Sequence, residues 1–316
     1  MASFSPHPVT LRQLQYLVAV ADTRSFRRAA ALCHVSQPSL SAQVAVAERA
    51  LGVQLFERTR RRVRVPAGAA PLVAQARKVL MAAGDLRDLA RQNADPFRGA
   101  LRLGIIPTIC PYLLPDIAPS LSRDFPQLAI TWSEERTARL VKQVKDGAID
   151  AAVVALEAHL KGLAHVPLGW DPFLLAASRD HALGRAKTRV RPDVLDGEHV
   201  LLLDDGHCFR DQALELCART GATEGGFRAT SLSTLVQMVS ARGGVTLLPA
   251  IALPVENRRG QLTVRSFLAP GPGRTLALAW RRGSALRVPL ERIAETIRKA
   301  LTAPPASSRK RIGSRA

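Results

Sequence analysis

The sequence predicts an α/β protein in three parts: a small N-terminal winged helix-turn-helix, a long linker helix, and a two-lobed α/β regulatory domain. Three observations carry that expectation. Residues 1–65 hold ten Arg and no Lys against Asp22, Glu48 and Glu57, so this segment alone supplies about +7 of the chain's +19. A helical period then runs without a break from 66 to 93. From Ala100 onward, short apolar runs alternate with helical patterns, as they do where strands and helices interleave around a mostly parallel sheet.

At 316 residues, 47% of them hydrophobic, the chain can bury two or three domain-sized cores. The positive balance points to a polyanionic partner, nucleic acid or an anionic membrane surface. No apolar run reaches the ~18 residues of a membrane span, and the N-terminus lacks a charged stretch followed by an apolar signal core. The expectation is a cytoplasmic protein with no membrane partner. In that reducing setting Cys33, Cys110, Cys208 and Cys217 do not read as a structural disulfide framework. No Cys-x-x-Cys pair suggests zinc, so neither metal nor cofactor is expected, and any disulfide should be transient.

Taken in order, Thr10 is placed to cap a first helix with Leu11, Leu14, Leu17, Val18 and Ala21 along one face. Ser25 to Leu32 forms a second, with Phe26, Ala29, Ala30 and Leu32 apolar, and Cys33-His34-Val35 makes the turn. Ser36 caps a third helix, in whose first turn Pro38 costs no hydrogen bond. Leu40, Val44, Ala47 and Leu51 form its core stripe, and Gly52 stops it. Two short helices joined by a tight turn make a helix-turn-helix. Gln37, Ser39, Ser41 and Gln43 fall outside the stripe and are candidate base readers, since Gln pairs with adenine and Ser with several base edges. The alternative is that they solvate the helix. Leu55 to Arg58 and Arg60 to Val65 read as a two-stranded wing, with Arg58, Arg60, Arg61 and Arg62 meeting phosphates.

In the linker, 66–95, Ala69, Leu72, Ala76, Val79, Ala83, Leu86 and Ala90 alternate steps of three and four, the seam of a coiled coil. The alternative is a helix lying on its own domain. Asp95-Pro96-Phe97-Arg98-Gly99 ends it. The regulatory domain, 96–302, then shows strands at Leu101–Ile106, Leu128–Ser133, Ala151–Ala155, Phe173–Ser178, Val200–Leu203, Phe227–Ala229, Val245–Leu248 and Thr275–Trp280. Residues 303–316, rich in Pro, Ser and Arg, read as a disordered basic tail.

Within this domain Asp204-Asp205-Gly206-His207-Cys208-Phe209-Arg210 joins an apolar strand to a helical pattern that continues to Cys217. A thiol at a helix start feels the positive end of the helix dipole, and His207 and Arg210 add cationic neighbours. All three favour the thiolate, which is the reactive form. In regular helix Cys208 and Cys217 would stand roughly 13 Å apart along the axis and half a turn out of phase. A disulfide needs Cα atoms within about 7 Å, so the two can join only if the helix unwinds. The competing reading is a pair of inert core thiols; the polar company of Cys208 weighs against it, whereas Cys217 reads as buried.

Leu11-Arg12-Gln13-Leu14, Phe26-Arg27-Arg28-Ala29-Ala30, Val35-Ser36-Gln37-Pro38-Ser39-Leu40-Ser41, Leu51-Gly52 and Leu55-Phe56-Glu57-Arg58-Thr59 together resemble the winged helix-turn-helix of LysR-type transcriptional regulators. The resemblance implies DNA contacts at Arg28, Ser36, Gln37, Pro38, Ser39, Ser41, Gln43 and the wing arginines. It also implies a homodimer or homotetramer on palindromic duplex DNA, contact with RNA polymerase, and a regulator that activates or represses rather than an enzyme. Arg64-Val65-Pro66-Ala67-Gly68 departs from the family by lacking the Thr that would cap the linker helix, which is therefore expected to start less sharply.

For the remainder, the family resemblance implies a periplasmic-binding-protein-like domain with a cleft between two lobes. Most members bind a small-molecule effector there, which is the runner-up function. The stretch from Asp205 to Ala213 with Cys217 beyond it, and Ile106-Pro107-Thr108, Phe227 to Ser231 and Thr246 to Ala250, are similar instead to the peroxide-sensing members. That similarity implies hydrogen peroxide as the signal, Cys208 as the peroxidatic thiolate and Cys217 as its resolving partner. It implies Thr108, Thr137 and His207 around the peroxide and Arg281 beside the thiolate. Thr108 could instead cap a helix, and His207 could merely orient the loop. Cys110 falls where those members commonly have Gly, which offers Cys208 a second partner. A stand-alone thiol peroxidase is a third reading, disfavoured by the basic DNA-binding motif within residues 1–65.

Overall fold

The computed structural model describes residues 7–58, 63–92, 95–157 and 160–302. The chain divides into two compact units, residues 1–93 and 94–316.

In the first unit α1 (Leu11–Thr23), α2 (Phe26–Leu32) and α3 (Gln37–Leu51) start and stop where local chemistry dictates. Thr10 accepts the Gln13 N–H while the Gln13 side chain accepts the Thr10 N–H, a reciprocal capping box. Ser25 and Ser36 cap the next two helices, and Gly52 ends α3 in the left-handed region at φ +66°. Leu17, Val20, Ala30, Leu40, Val44, Leu55 and Phe56 close the core. Glu48 accepts the N–H groups of Leu55 and Phe56, at 2.8 and 3.1 Å, and so aims the chain into a hairpin. Its strands, β1 (Glu57–Arg58) and β2 (Val63–Arg64), pair antiparallel as the wing. Thr59, Arg60, Arg61 and Arg62 lie outside the described residues.

Three residues assigned to core faces are exposed: Leu11, Leu32 and Leu51. Leu11 and Leu51 line an open apolar hollow together with Leu72 and Val79, which explains two of them; nothing in the structure explains Leu32. The linker begins with a 3-10 turn at Ala67–Ala69 that has no side-chain cap, in keeping with the missing Thr, and continues as α4 (Ala70–Gln92). The expected seam divides. Ala69 and Ala76, with Val73, are buried, and α4 lies along α1, where Arg77 pairs with Asp22. Leu72, Val79 and Leu86 remain outward, Leu86 at 70% exposure. Alanine permits close approach to α1 on one side, while the bulkier residues keep a second apolar face.

The second unit carries, in chain order, β3 (Gly99–Ile105), α5 (Cys110–Asp124), β4 (Leu128–Glu134), α6 (Thr137–Lys145), β5 (Ala151–Ala155) and β6 (Leu163–Ser178). There follow β7 (His199–Leu203), α7 (Cys208–Thr220), β8 (Thr223–Ala229), α8 (Leu232–Arg242), β9 (Val245–Pro249), α9 (Leu253–Glu256), β10 (Leu262–Ser266), β11 (Gly273–Arg281) and α10 (Arg287–Thr302). Strand order is β4-β3-β5-β11-β6-β9-β7-β8, with β10 paired to β6.

Two lobes share this sheet because β6 serves both. Its first part pairs with β11, and its last residues, from Phe173, pair with β9 and β10. Leu103, Ile105, Ile117, Leu140, Val153 and Ile293 belong to the core of the first lobe, and Leu175, Leu202, Phe209, Leu235 and Leu247 to that of the second. The sheet is mixed rather than mostly parallel. β3 with β4 and β5, and β7 with β8 and β9, are parallel, but the strands that cross between lobes run antiparallel. A crossing strand returns against its neighbours, a direction that local periodicity does not reveal. Residues 303–316 lie outside the described residues.

Candidate cysteine site and nucleic-acid surface

The βα turns that follow β3, β4 and β7 meet between the lobes. Cys208 is the first residue of α7, and His207 occupies the cap position without a capping bond. The turn reaches that geometry through Gly206, whose φ of +88° lies in the left-handed region that disfavours other residues. Cys208 is 9% exposed and belongs to the core of the first lobe, whereas Cys217, 2% exposed, lies in the core of the second. Helix α7 thus straddles the lobes. The polar loop in front of Cys208 does not make it a surface thiol: the acidic residues turn outward and Cys208 turns in. All four cysteines are free.

Arg274, fully buried, organises the far wall. Its Nε donates to Asp171 at 3.0 Å, Nη1 to the Thr108 hydroxyl at 2.7 Å and Nη2 to the Thr108 carbonyl at 3.0 Å. Asp171 in turn accepts the Ile251 N–H at 3.0 Å. Since a guanidinium only donates, Thr108 Oγ accepts from it and keeps its own O–H free to donate elsewhere. Thr108 is therefore not a helix cap; Ile109 precedes α5 without side-chain capping. The Arg274 guanidinium also lies 5.8 Å from the Phe209 ring centre, which ties Thr108 to the first turn of α7.

Arg136, just before α6, closes the near wall. It pairs with Asp204 at 3.8 Å and lies against Gly206, bringing Thr137 toward His207. Thr137 Oγ1, Ser133 Oγ and His207 Nε2 are buried with no hydrogen-bond partner among the described residues. Burial, and then the Arg136 charge, hold the His207 imidazole below its ordinary value against Asp204, Glu134 and a bond to the Thr230 backbone. The ring is neutral at neutral pH. Cys110, also buried, is pushed up to about 12 by burial and by the Glu134 carboxylate, so it stays a protonated thiol. Burial likewise pushes Cys217 up.

The base of α7 is anchored by Arg210. It donates to Asp205 at 2.9 Å, to both oxygens of Glu224 at 2.6 and 3.0 Å, and to the Leu203 carbonyl at 3.1 Å. That bidentate bond, with Arg228 in support, holds the Glu224 carboxyl down at about 2. Arg210 is thus a structural anchor between α7 and β8, and its role as a cationic neighbour of the thiol is secondary.

Of the residues expected around the cysteine, Thr108 is linked through Arg274 to Phe209 beside Cys208, and Thr137 follows the Arg136 that lies against Gly206, whereas Arg281 lies elsewhere. β11 runs antiparallel to β5, with Leu276 opposite Ala155 and Trp280 opposite Ala151, so Arg281 stands at the end of the sheet remote from Thr108. About 24 Å of strand separates it from Arg274. Arg274, Asp171 and Arg136 were not legible as site residues. A Gly-Arg pair after a Pro-Gly turn was the only signal for Arg274.

On the first unit, Gln37, Pro38 and Ser39 are exposed at the start of α3, and Arg27 and Arg28 are exposed on α2. Ser36 is spent on capping, its Oγ accepting the Ser39 N–H. Gln43 accepts from Gln13 at 3.0 Å, and Arg28 donates to the Thr23 carbonyl. Ser41 is half-buried and engaged. Arg58 ends β1 at the wing. Among the described residues no cluster of three His, Cys, Asp or Glu is arranged to hold a metal, and no helix is long and apolar enough to cross a membrane.

Residues 11–68 match the bacterial regulatory helix-turn-helix protein, lysR family, and residues 94–302 match the LysR substrate binding domain. A hydrogen peroxide-inducible genes activator of Pectobacterium carotovorum is 45% identical over 292 residues, covering 92% of this chain and 96% of the relative. The DNA-binding transcriptional dual regulator OxyR of Escherichia coli K12 is 45% identical over 291 residues, 92% and 95% of the two chains. Among solved structures, a full-length OxyR cysteine variant from Pseudomonas aeruginosa superposes with a TM-score of 0.77 at 38% identity, covering 93% of this chain and 96% of that one. An OxyR cysteine-to-serine mutant from Corynebacterium glutamicum with hydrogen peroxide bound gives 0.64 at 34% identity, with 94% of each chain covered. With both halves matched and relatives aligned over nearly their whole length, the chain belongs to the LysR family of bacterial helix-turn-helix transcriptional regulators, beside its OxyR members.

Proposed function

We propose that the protein is a hydrogen-peroxide-sensing transcriptional regulator that is switched by oxidation of Cys208 and its disulfide with Cys217. The observation that carries this reading is the setting of Cys208: a helix N-terminus inside a buried polar pocket, with Thr108 O–H, Thr137 O–H and His207 Nε2 still able to bond. A helix N-terminus favours negative sulfur. With the other ring nitrogen bonded to the Thr230 backbone, neutral His207 has Nε2 as an acceptor, able to hold the thiol proton.

The thiolate attacks one peroxide oxygen; the S–O bond forms as the O–O bond breaks, sulfur is oxidised and peroxide reduced by two electrons. The departing oxygen takes the proton from His207 and leaves as water. Thr108 and Thr137 donate to the peroxide oxygens. Cys217 then attacks the sulfenic sulfur, the S–S bond forms and a second water leaves. Stoichiometric oxidation would mark a switch, whereas multiple turnover with a dithiol reductant would mark a peroxidase. The site needs no metal or cofactor for these steps.

DNA recognition rests on paired reading heads. The outward Leu72, Val79 and Leu86 face of α4 is the surface for a second chain, which would set two α3 helices on a palindrome. Unwinding α7 withdraws Cys208 from the first lobe and rearranges lobe surfaces that neighbouring subunits and RNA polymerase would meet. Footprinting of reduced and peroxide-treated protein on its promoter should show a changed footprint; an identical footprint would return first place to a small-molecule effector in the cleft. Gln37→Ala should weaken the specific site more than random DNA, whereas Arg60→Ala should weaken both alike and flatten the salt dependence, which is near −0.9 per phosphate neutralised. Equal losses for Gln37→Ala would remove it as a base reader.

A further inference from the structure

Arg136 does something at this site that its position before α6 does not require. Its side chain is 46% exposed, so it is not held by burial, yet it reaches across from the first lobe to the turn that carries His207 and Cys208. A Cβ built on Gly206 would lie 3.1 Å from both Cδ and Nη1 of Arg136, so the arginine rests directly on the bare α-carbon. Its Nη2 stands 3.8 Å from Asp204 Oδ2. The next residue along, Thr137, presents a buried hydroxyl with no partner among the described residues, and Nε2 of His207, one residue beyond Gly206, is likewise without one.

We propose that Arg136 is a positioning residue: its guanidinium clasps the Asp204–Gly206 turn across the cleft, fixing His207 and Cys208 against Thr137. The proposal rests on the peroxide reading for its consequence and on geometry alone for its placement. Three physical effects follow. Arg136 lies so close over the bare α-carbon of Gly206 that a Cβ there would press on it, while the φ of +88° is what calls for glycine. The positive charge disfavours a second proton on His207, keeping Nε2 an acceptor over a wider pH range; of the charged groups that face this ring, Asp204 and Glu134 oppose it. The clasp is also exposed and reversible, so it can release the turn when α7 unwinds, which a buried ion pair would resist.

The test compares Arg136→Gln and Arg136→Lys with the unchanged full chain. His207 is one of seven histidines, so its ring signal is assigned by its loss in His207→Gln, and its titration is followed by NMR in reduced protein. Removing the guanidinium should raise the His207 titration midpoint, and lysine, which keeps the charge, should restore it. The rate of Cys208 oxidation by hydrogen peroxide should fall about tenfold in Arg136→Gln and recover only in part in Arg136→Lys, because misplacement of reacting groups by fractions of an ångström already costs that much. A His207 titration unchanged in Arg136→Gln overturns the clasp, whatever the rate does. Failure of the unchanged protein to oxidise at Cys208 would instead overturn the peroxide reading and leave the titration to decide the clasp.

Discussion

Cys208→Ser is expected to lose the peroxide response completely while keeping its fold and its DNA binding. Serine preserves size at the first position of α7, but a hydroxyl there is not a nucleophile toward peroxide at neutral pH, and neither other thiol of the second unit can take over. Cys110 stays protonated beside Glu134, and Cys217 lies deep in the second lobe. The fold should tolerate the change with a loss of about 1 kcal/mol, because a slightly smaller hydroxyl replaces a thiol that packs, buried, in the core of the first lobe. Trapping of sulfenic acid and footprinting before and after peroxide measure it directly. A footprint that still changes in Cys208→Ser would mean that the signal enters elsewhere.

The second large effect concerns stability. Arg274→Met should destabilise the second unit by about 3–5 kcal/mol, since it leaves Asp171 as a buried carboxylate with only one backbone N–H in support. Arg274→Lys should recover little: a single ammonium cannot reach Asp171 and both oxygens of Thr108 as the planar fork does. Adding Asp171→Leu to Arg274→Met should restore much of the loss, because the cost comes from the stranded charge rather than from a missing attraction. Urea unfolding of the full chain measures all three, with the midpoint moving at constant slope. A loss under about 1 kcal/mol would show that the pair is not relied upon, and with it that Thr108 is held by something else.

These two expectations differ in how far the sequence could foretell them. Cys208 was legible because its chemistry is local: a turn, a Gly, a His and a helix start stand within five residues, and a helix dipole needs no distant partner. The caps at Thr10 and Ser36 and the alternation of strands and helices were legible for the same reason. Arg274 was not, because its meaning depends on Asp171 and Thr108, 103 and 166 residues away, brought together by the register of β11 with β6. It was the resemblance to the peroxide-sensing members, not a local pattern, that placed the arginine of the site at Arg281. The same blindness made the sheet mostly parallel, since the direction of a strand leaves no mark on its own apolar pattern. The linker helix was legible as a helix but not in its faces: the same three-and-four spacing suits a partner helix and α1, and the structure lays one side on α1 while leaving Leu72, Val79 and Leu86 outward. Arg136 gave no signal at all, being one arginine among many until its contact with Gly206 is seen.

The disulfide itself tests the account most directly. In α7 the two cysteines lie nine residues apart within one continuous helix and in the cores of different lobes, so their union demands that the first turns of α7 unwind and leave the first lobe. Peptide mass mapping of the peroxide-treated protein, combined with amide exchange before and after, reads both halves of that statement. The account predicts a dominant link between Cys208 and Cys217, a rise in exchange over residues 209–217, and the same two results in Cys110→Ala. A dominant link between Cys110 and Cys208, or exchange over 209–217 that stays flat on oxidation, would contradict it.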